Sequence, residues 1–298
     1  YYAEIPSVFV DVQRVGPSTG MPTRTQQCDL LLCAYASHGD TRHPILFPAN
    51  PKECFEMAVQ VFDLADRLQT PVFLLSDLDI GMNDWVVPEL RWDEGYRPDR
   101  GKVLGPEDLK KMDRFVRYLD VDGDGIPYRT LPGEDSKGAY FTRGSGHNRY
   151  GGYTEDSAEY QDVMDRLLVK WETARQLVPP AVLTKARRKT RLGIIAYGSS
   201  DGAVIEARDR LAERGVHADY LRIRAFPFGD EVREFLKTHK TVFVVEQNRD
   251  AQMRSLLLLE AGAAGERLVS ILHYDGMPIP GECVVQGIAT HLEKEAAA

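Results

Sequence analysis

The chain has 298 residues, 43% hydrophobic and 28% charged, the make-up of a globular protein with length for two domains of common size. Its 37 basic and 45 acidic residues leave a net charge of −8, which argues against a nucleic-acid footprint of clustered Lys and Arg. No apolar run approaches the ~20 residues of a membrane helix and no signal-peptide pattern opens the text, so neither nucleic acid nor membrane is an expected partner.

Residues Ser7 to Val12 alternate and are rich in Val and Phe, which predicts a strand. The chain begins on this strand-like segment at Tyr1, which reads as a chain fragment or a processed product. The following run, Arg14-Val15-Gly16-Pro17-Ser18-Thr19-Gly20-Met21-Pro22-Thr23, is too rich in Gly and Pro for a regular element and is expected as a structured loop. Apolar runs come next at Asp29 to Ala36 and Pro44 to Phe47. Asn50-Pro51-Lys52-Glu53 then supplies an N-cap, a proline at the first helical position and a Glu placed for reciprocal capping. Helical spacing of Phe55, Ala58, Val59, Phe62 and Ala65 continues until Gln69-Thr70-Pro71, and Val72 to Leu75 reads as a buried strand.

From about Asp93 to Lys189 prolines, glycines and charges interrupt any apolar period, and only Ser157 to Leu177 reads as a helix. Lys185-Ala186-Arg187-Arg188-Lys189 is a solvated connector. Strand and helix then alternate: strands at Leu192–Tyr197, Ala218–Ile223, Thr241–Glu246 and Arg267–His273, helices at Ala203–Arg214, Asp230–His239 and Ala251–Ala261. That order builds a mostly parallel sheet with helices on its faces, an α/β fold. The first αβ block lacks early strands, and an incomplete sheet exposes unpaired backbone groups, so a partner chain is expected to cover it.

Arg14 follows a strand end and precedes a loop of Gly, Ser and Thr, so one guanidinium with several hydroxyls and N–H groups can converge on an anion. A carboxylate suits that set, because its bonds to arginine are charge-assisted and worth ~1.5–3 kcal/mol each. A rigid turn with Arg14 paired to a nearby acid is the alternative. Asp120-Val121-Asp122-Gly123-Asp124-Gly125 mimics the start of a calcium loop, but Leu131 stands where the closing acid belongs. A carboxylate-rich turn is therefore expected, with Asp120, Asp122 and Asp124 the only metal candidates. Gly198-Ser199-Ser200-Asp201-Gly202 joins a strand to a helix and is expected to carry an N-cap at Ser200 or Asp201, with anion binding the alternative. His38 and His147 are expected as loop bystanders. The four cysteines, Cys28, Cys33, Cys54 and Cys283, are too irregularly spaced for a zinc or iron–sulfur site and are expected as reduced thiols in the cytoplasm.

The stretch from Val12 to Thr23, followed by Gln26 and Asp29-Leu30, resembles the signature of 2-oxoacid:ferredoxin oxidoreductase alpha subunits. His38-Gly39-Asp40, Phe47-Pro48-Ala49, Leu75-Ser76-Asp77, Arg129-Thr130-Leu131-Pro132-Gly133, Gly144-Ser145-Gly146-His147, Gly198-Ser199-Ser200 and Val244-Val245-Glu246-Gln247-Asn248 follow in family order over most of the chain. The segment from Pro71 to Asp84 resembles the 2-oxoglutarate subgroup more than the pyruvate one. One departure is Arg249-Asp250-Ala251-Gln252, where the family more usually has Gly before Gln.

The resemblance implies an incomplete pyrimidine-binding domain for thiamine diphosphate over residues 1–92, an extended connecting segment over 93–189, and a transketolase C-terminal-like domain over 190–298. It implies that Arg14 holds the 1-carboxylate of a 2-oxoacid, that Thr23 lines the same pocket, and that Gly16, Ser18, Thr19 and Gly20 shape it; no catalytic residue is assigned. The implied reaction is coenzyme A-dependent oxidative decarboxylation with ferredoxin reduction, or the reverse carboxylation. Its other parts are expected on partners: the N-terminal remainder of the alpha subunit, a beta subunit carrying thiamine diphosphate with Mg²⁺ and a [4Fe–4S] cluster, and ferredoxin. The rival readings are a thiamine-dependent dehydrogenase or transketolase-like chain, and a non-catalytic structural subunit.

Overall fold

The computed structural model of the chain describes residues 1–297. In chain order the elements are β1 (Ser7–Gln13), α1 (Leu30–Ala34), β2 (Ile45–Leu46), α2 (Pro51–Leu68), β3 (Pro71–Asp77), α3 (Leu78–Met82), α4 (Pro106–Lys110) and α5 (Ser157–Leu177). They continue as β4 (Val182–Thr184), β5 (Leu192–Tyr197), α6 (Ser200–Glu213), β6 (Asp219–Ile223), β7 (Ala225–Phe226), α7 (Asp230–Thr238), β8 (Thr241–Glu246), α8 (Gln252–Glu260), β9 (Leu268–Leu272) and α9 (Gly281–Ala297). The expected alternation of strand and helix is present; the last helix, the short helices α3 and α4 and the short strands β4 and β7 have no counterpart in the sequence reading, and α4 adds a second helix to the segment where only Ser157 to Leu177 was expected.

The chain forms two compact units. The larger comprises Phe9–Val59, Phe73–Trp92 and Val178–Ala298. It contains a five-stranded sheet ordered β4-β6-β5-β8-β9, in which β6, β5, β8 and β9 run parallel and β4 closes the β6 edge antiparallel. These parallel strands are predominantly apolar, as strands with helices on their faces are. Ile194, Ala196, Phe243 and Val245 of the sheet pack with Val204 of α6 and Val284 of α9 into one buried cluster. Fully burying side chains of this kind stabilises by ~1.5–3 kcal/mol each.

A second sheet is ordered β1-β3-β2-β7. Ile45 of β2 pairs parallel with Phe73 and antiparallel with Phe226, so a strand from late in the chain closes a sheet begun by the early one. At the opposite edge β1 leaves Phe9, Val10 and Val12 exposed by 50%, 62% and 46%. Such an apolar edge is a template for another chain.

The predicted cap of α2 forms: the Glu53 N–H donates to Asn50 Oδ1 at 3.0 Å, while the Glu53 carboxylate accepts from the Ala49 N–H at 3.0 Å. The expectation at α6 is corrected. Ser199 occupies the cap position without a side-chain cap bond, and Ser200 and Asp201 lie inside the helix. The Ser200 and Asp201 side chains are turned to other partners, Gln27 at 3.2 Å and the Tyr220 hydroxyl at 2.8 Å.

The smaller unit comprises Tyr1–Val8, Gln60–Val72 and Asp93–Leu177. Its longest helix, α5, buries Val163, Leu167, Trp171 and Ala174 along one stripe. Gly125, at φ 79°, lies so close to this helix that a Cβ would fall 2.2 Å from the Lys170 nitrogen, so no other residue fits. The calcium-loop mimic nearby is a self-contained turn. Asp120 accepts from the backbone of Asp122, Gly123 and Gly125, and the Lys102 ammonium lies 2.7 Å from both Asp122 and Asp124, where a cation would otherwise sit. Asp120, Asp122 and Asp124 do not form a metal site, and no group of three or more His, Cys, Asp or Glu among the described residues is arranged to hold one.

Candidate substrate cleft

Arg14 is the first residue after β1, and the loop behind it is fixed from several sides. The Val15 N–H donates to Arg24 O at 3.0 Å and the Arg24 N–H to Met21 O at 3.1 Å, which closes the loop into a hairpin-like excursion. The Gly16 N–H donates to Gln26 Oε1 at 3.2 Å. Beneath it, Gln13 spans two segments, donating to Ser76 O at 3.2 Å and accepting from the Asp29 N–H at 3.0 Å. Buried amides joined at both ends hold a backbone more rigidly than turn propensity alone.

The Arg14 side chain lines an open cleft of about 870 Å³, within the size range of small-molecule and cofactor sites. Of the loop, Gly16, Pro17 and Ser18 also line this cleft, whereas Thr19, Gly20 and Thr23 lie on its exposed stretch and do not. The opposite wall is built from Asn248, Arg249, Asp250, Gln252 and Tyr274. Among the described residues the Arg14 guanidinium makes no hydrogen bond or ion pair within the chain. It is an exposed cation with its planar fork unused.

Acids nearby do not claim it. Burial pushes the Asp29 carboxyl up, and the charge of Asp11 adds to the effect; burial also raises Asp11. Each faces a thiol instead, Cys33 Sγ at 3.5 Å from Asp11 and Cys28 Sγ at 3.7 Å from Asp29. The Cys28 thiol is itself pushed up to about 11, by burial first and then by the Asp29 charge. A half-buried carboxyl that holds its proton more tightly competes less for a neighbouring guanidinium.

A buried polar network seats the far wall. Gln27, with no exposure, donates from Nε2 to Tyr197 O at 2.9 Å and accepts at Oε1 from Ser200 Oγ at 3.2 Å and from the Gln247 N–H at 3.0 Å. Ser199 Oγ donates to Asp77 at 2.6 Å and accepts from Gln247 Nε2 at 2.9 Å. Burial raises Asp77, against the Ser199 bond and the Ile80 N–H. Gly198, at φ 58°, leaves room for the amide: a Cβ there would stand 2.9 Å from Gln27 Nε2.

Glu246 caps α8, its carboxylate accepting from the N–H groups of Met253 at 2.7 Å and Arg254 at 3.1 Å, where the helix dipole favours an anion. Gln252, the first residue of α8, donates to Cys28 O at 2.6 Å and accepts from the Leu31 N–H at 3.0 Å. It therefore clasps the segment carrying Cys28 and Asp29 to the far wall. Ala251 before it is in the left-handed conformation, φ 52°, which accounts physically for glycine being more usual there.

Of the sequence candidates, the structure thus brings Arg14, Gly16 and Ser18 to one cleft. The contributions of Asp11, Cys28, Arg249, Asp250 and Tyr274 have no local sequence signal. Gln252 and Asn248 lay in a stretch singled out for its resemblance, without an assigned role. His38 is exposed; His147 is buried between the Tyr2 and Tyr118 rings, with centroids 4.5 and 4.1 Å away, and burial lowers its imidazole pKa.

Residues 1–96 match the family described as pyruvate flavodoxin/ferredoxin oxidoreductase, thiamine diphosphate-binding. The chain is 29% identical over 297 residues to the 2-oxoacid:ferredoxin oxidoreductase subunit alpha of Saccharolobus solfataricus, covering 98% of this chain and 45% of that one. It is 32% identical over 249 residues to the 2-oxoglutarate synthase subunit KorA of Archaeoglobus fulgidus, covering 82% of this chain and 61% of that one. Its fold superposes with a TM-score of 0.87, at 25% identity, on a 2-oxoglutarate:ferredoxin oxidoreductase from Magnetococcus marinus determined with 2-oxoglutarate, coenzyme A and succinyl-CoA bound. That match covers 97% of this chain and 49% of the other. The chain thus spans about half the length of the relatives it matches most extensively. No helix among the described residues is long and apolar enough to cross a membrane.

Proposed function

We infer that this homologue of the 2-oxoacid:ferredoxin oxidoreductase alpha subunits is part of such a subunit in a 2-oxoglutarate-using enzyme. The proposed reaction is coenzyme A-dependent oxidative decarboxylation of the 2-oxoacid to acyl-CoA, here succinyl-CoA, and CO₂, with electrons leaving one at a time to ferredoxin, or the reverse carboxylation. Residues 1–92 are assigned to the later part of a pyrimidine-binding domain, 93–189 to a connecting segment and 190–298 to a transketolase C-terminal-like domain. The match of a thiamine diphosphate-binding family to residues 1–96 supports the first of these.

The observation that carries the reading is Arg14, an unpaired guanidinium on the wall of a cofactor-sized cleft. Arg14 takes the 1-carboxylate in a two-pronged contact, and the rigid loop from Gly16 to Gly20 keeps that fork in one orientation. Thr23, on the exposed stretch of the loop, is assigned to the same pocket in the assembled enzyme. Holding the acid end fixes where the keto carbon lies, and this orientation is the contribution of the chain. The cleft has room for a 2-oxoacid beside a coenzyme, with Arg14 the unpaired cation on its wall among the described residues; the chemistry that bound thiamine diphosphate would supply is carbanion stabilisation. On the family resemblance, Mg²⁺ and the [4Fe–4S] centre are assigned to a beta subunit. The exposed apolar edge of β1 is a surface such a partner, or the rest of the alpha subunit, would cover.

The test is viologen or ferredoxin reduction by the assembled complex with 2-oxoglutarate. Reduction that requires coenzyme A supports the assignment. Transfer of the acyl group with no one-electron acceptor reduced moves the chain to the dehydrogenase or transketolase-like class.

A further inference from the structure

Within the smaller unit, a pocket of about 320 Å³ is lined by Arg114, Arg117 and Lys137 together with Phe115, Tyr140 and Tyr150. Asp113 is the one acid on its wall. Arg117 is 4% exposed, and its Nη2 donates to Glu4 O at 2.9 Å. Its Nε and Nη1 are buried without a hydrogen-bond partner. The guanidinium is held in place by rings, 4.9 Å from the centroid of Tyr118 and 5.5 Å from that of Tyr140. Behind it the Glu4 carboxylate is already taken, ion-paired with Arg166 and lying 3.4 Å from Lys170. One carboxylate therefore serves several cations, and positive charge remains uncompensated beside the pocket.

Two features converge on one ligand chemistry. A planar guanidinium with unused N–H groups, flanked by two exposed cations, matches phosphate oxygens in geometry and charge. Tyr140, Phe141 and Tyr150 around the rim are 40%, 72% and 56% exposed, offering ring faces on which a flat base stacks whatever its identity. We propose that this pocket binds a phosphorylated nucleoside, its phosphates on Arg114, Arg117 and Lys137 and its base against the tyrosine and phenylalanine rings. The site is independent of the reading of the Arg14 cleft. Free adenine nucleotide and the nucleotide end of coenzyme A share this chemistry.

Photolabelling of the assembled complex with 8-azido-ADP, followed by peptide mapping, tests the proposal. Label is expected within residues 113–151, displaced by ADP but not by adenosine. The exposed-residue double variant Arg114→Gln/Lys137→Gln, which spares the buried Arg117, should lower labelling of that segment at least tenfold while labelling elsewhere in the complex is kept. Competition by coenzyme A at lower concentration than ADP identifies the source as the coenzyme; the reverse order identifies free nucleotide, and either upholds the site. Absence of label from this segment, equal displacement by adenosine, or an unchanged double variant would overturn it.

Discussion

Glu53 on α2 and Arg222 on β6 meet in a two-pronged ion pair of 2.6 and 2.8 Å, each side chain about nine-tenths buried, with Arg224 a further 3.4 Å from the same carboxylate. The residue that caps an early helix is thus the counter-ion of a strand more than half the chain away. Burial alone would raise the Glu53 carboxyl; the Arg222 bonds, the Ala49 N–H and the two guanidinium charges outweigh it and hold it below the usual range. Glu53→Gln leaves Arg222 with only the more distant Asp201, 3.7 Å away, as its acidic partner and should cost up to about 3 kcal/mol in denaturant unfolding. Because the folded value is depressed, the stabilisation is present above the ordinary carboxyl value of 4.5 and fades as pH falls below it. A wild-type stability unchanged between pH 6 and pH 3 would contradict the pairing.

Ala251 pays a steric penalty for its left-handed backbone at φ 52°. Ala251→Gly removes that penalty at the expense of a more flexible unfolded chain, for a net gain of about 0.5–1 kcal/mol. The expected readout is a higher denaturation midpoint with the α8 cap intact. A midpoint that falls would mean this turn is not left-handed.

The parallel strands of the five-stranded sheet were legible because buried parallel strands are short, largely apolar runs, and β5 and β8 have the bounds that their hydrophobicity predicts. The cap of α2 was legible for a local reason too, since Asn50, Pro51 and Glu53 act within one turn. What local pattern does not encode is pairing across the chain. β7 is two residues long and matters only because it lands on β2. Arg249 and Tyr274 reach the Arg14 cleft through the order of β8 and β9, which no spacing in the sequence states. β4 is exposed on both faces and so carries no alternation, and α9 carries Gly287 in its interior, whose missing side chain lets the helix sit against Ile271. The carboxylate-rich turn at Asp120 was legible from the missing closing acid, but its neutralising charge, Lys102, comes from outside the motif and was not.

Gln27 is the hub of the polar network, its side chain bonding both the Tyr197 carbonyl and the Gln247 N–H. Gln27→Ala leaves those groups unmatched in a buried setting, an expected loss of about 2–4 kcal/mol. The same variant should loosen the turns at Gly198 and Asn248, read as faster amide exchange there than in β8. Uniform protection across both would show that the network does not seat the wall.

The Cys28 thiol lines the cleft yet is held at about 11 by burial and by Asp29. Its thiolate fraction at pH 8 is then roughly a thousandth, against roughly a tenth at its ordinary value of 9.0, so alkylation should be on the order of a hundredfold slower than for an unperturbed thiol. Mass-spectrometric alkylation rates should rise through half-maximum near pH 11. A half-maximum near pH 9 would contradict both the burial of the thiol and the influence of Asp29.

The account rests most directly on the Arg14 guanidinium, and its steady-state kinetics in the assembled enzyme is the measurement to make. Arg14→Ala should lower kcat/KM for 2-oxoglutarate by ~100-fold or more, as the loss of two charge-assisted hydrogen bonds implies. Arg14→Lys should recover only a small part of that loss, and thiamine diphosphate content should be unchanged in both. Wild-type turnover in Arg14→Ala, with the coenzyme still bound, would contradict the assignment of the substrate carboxylate to this residue.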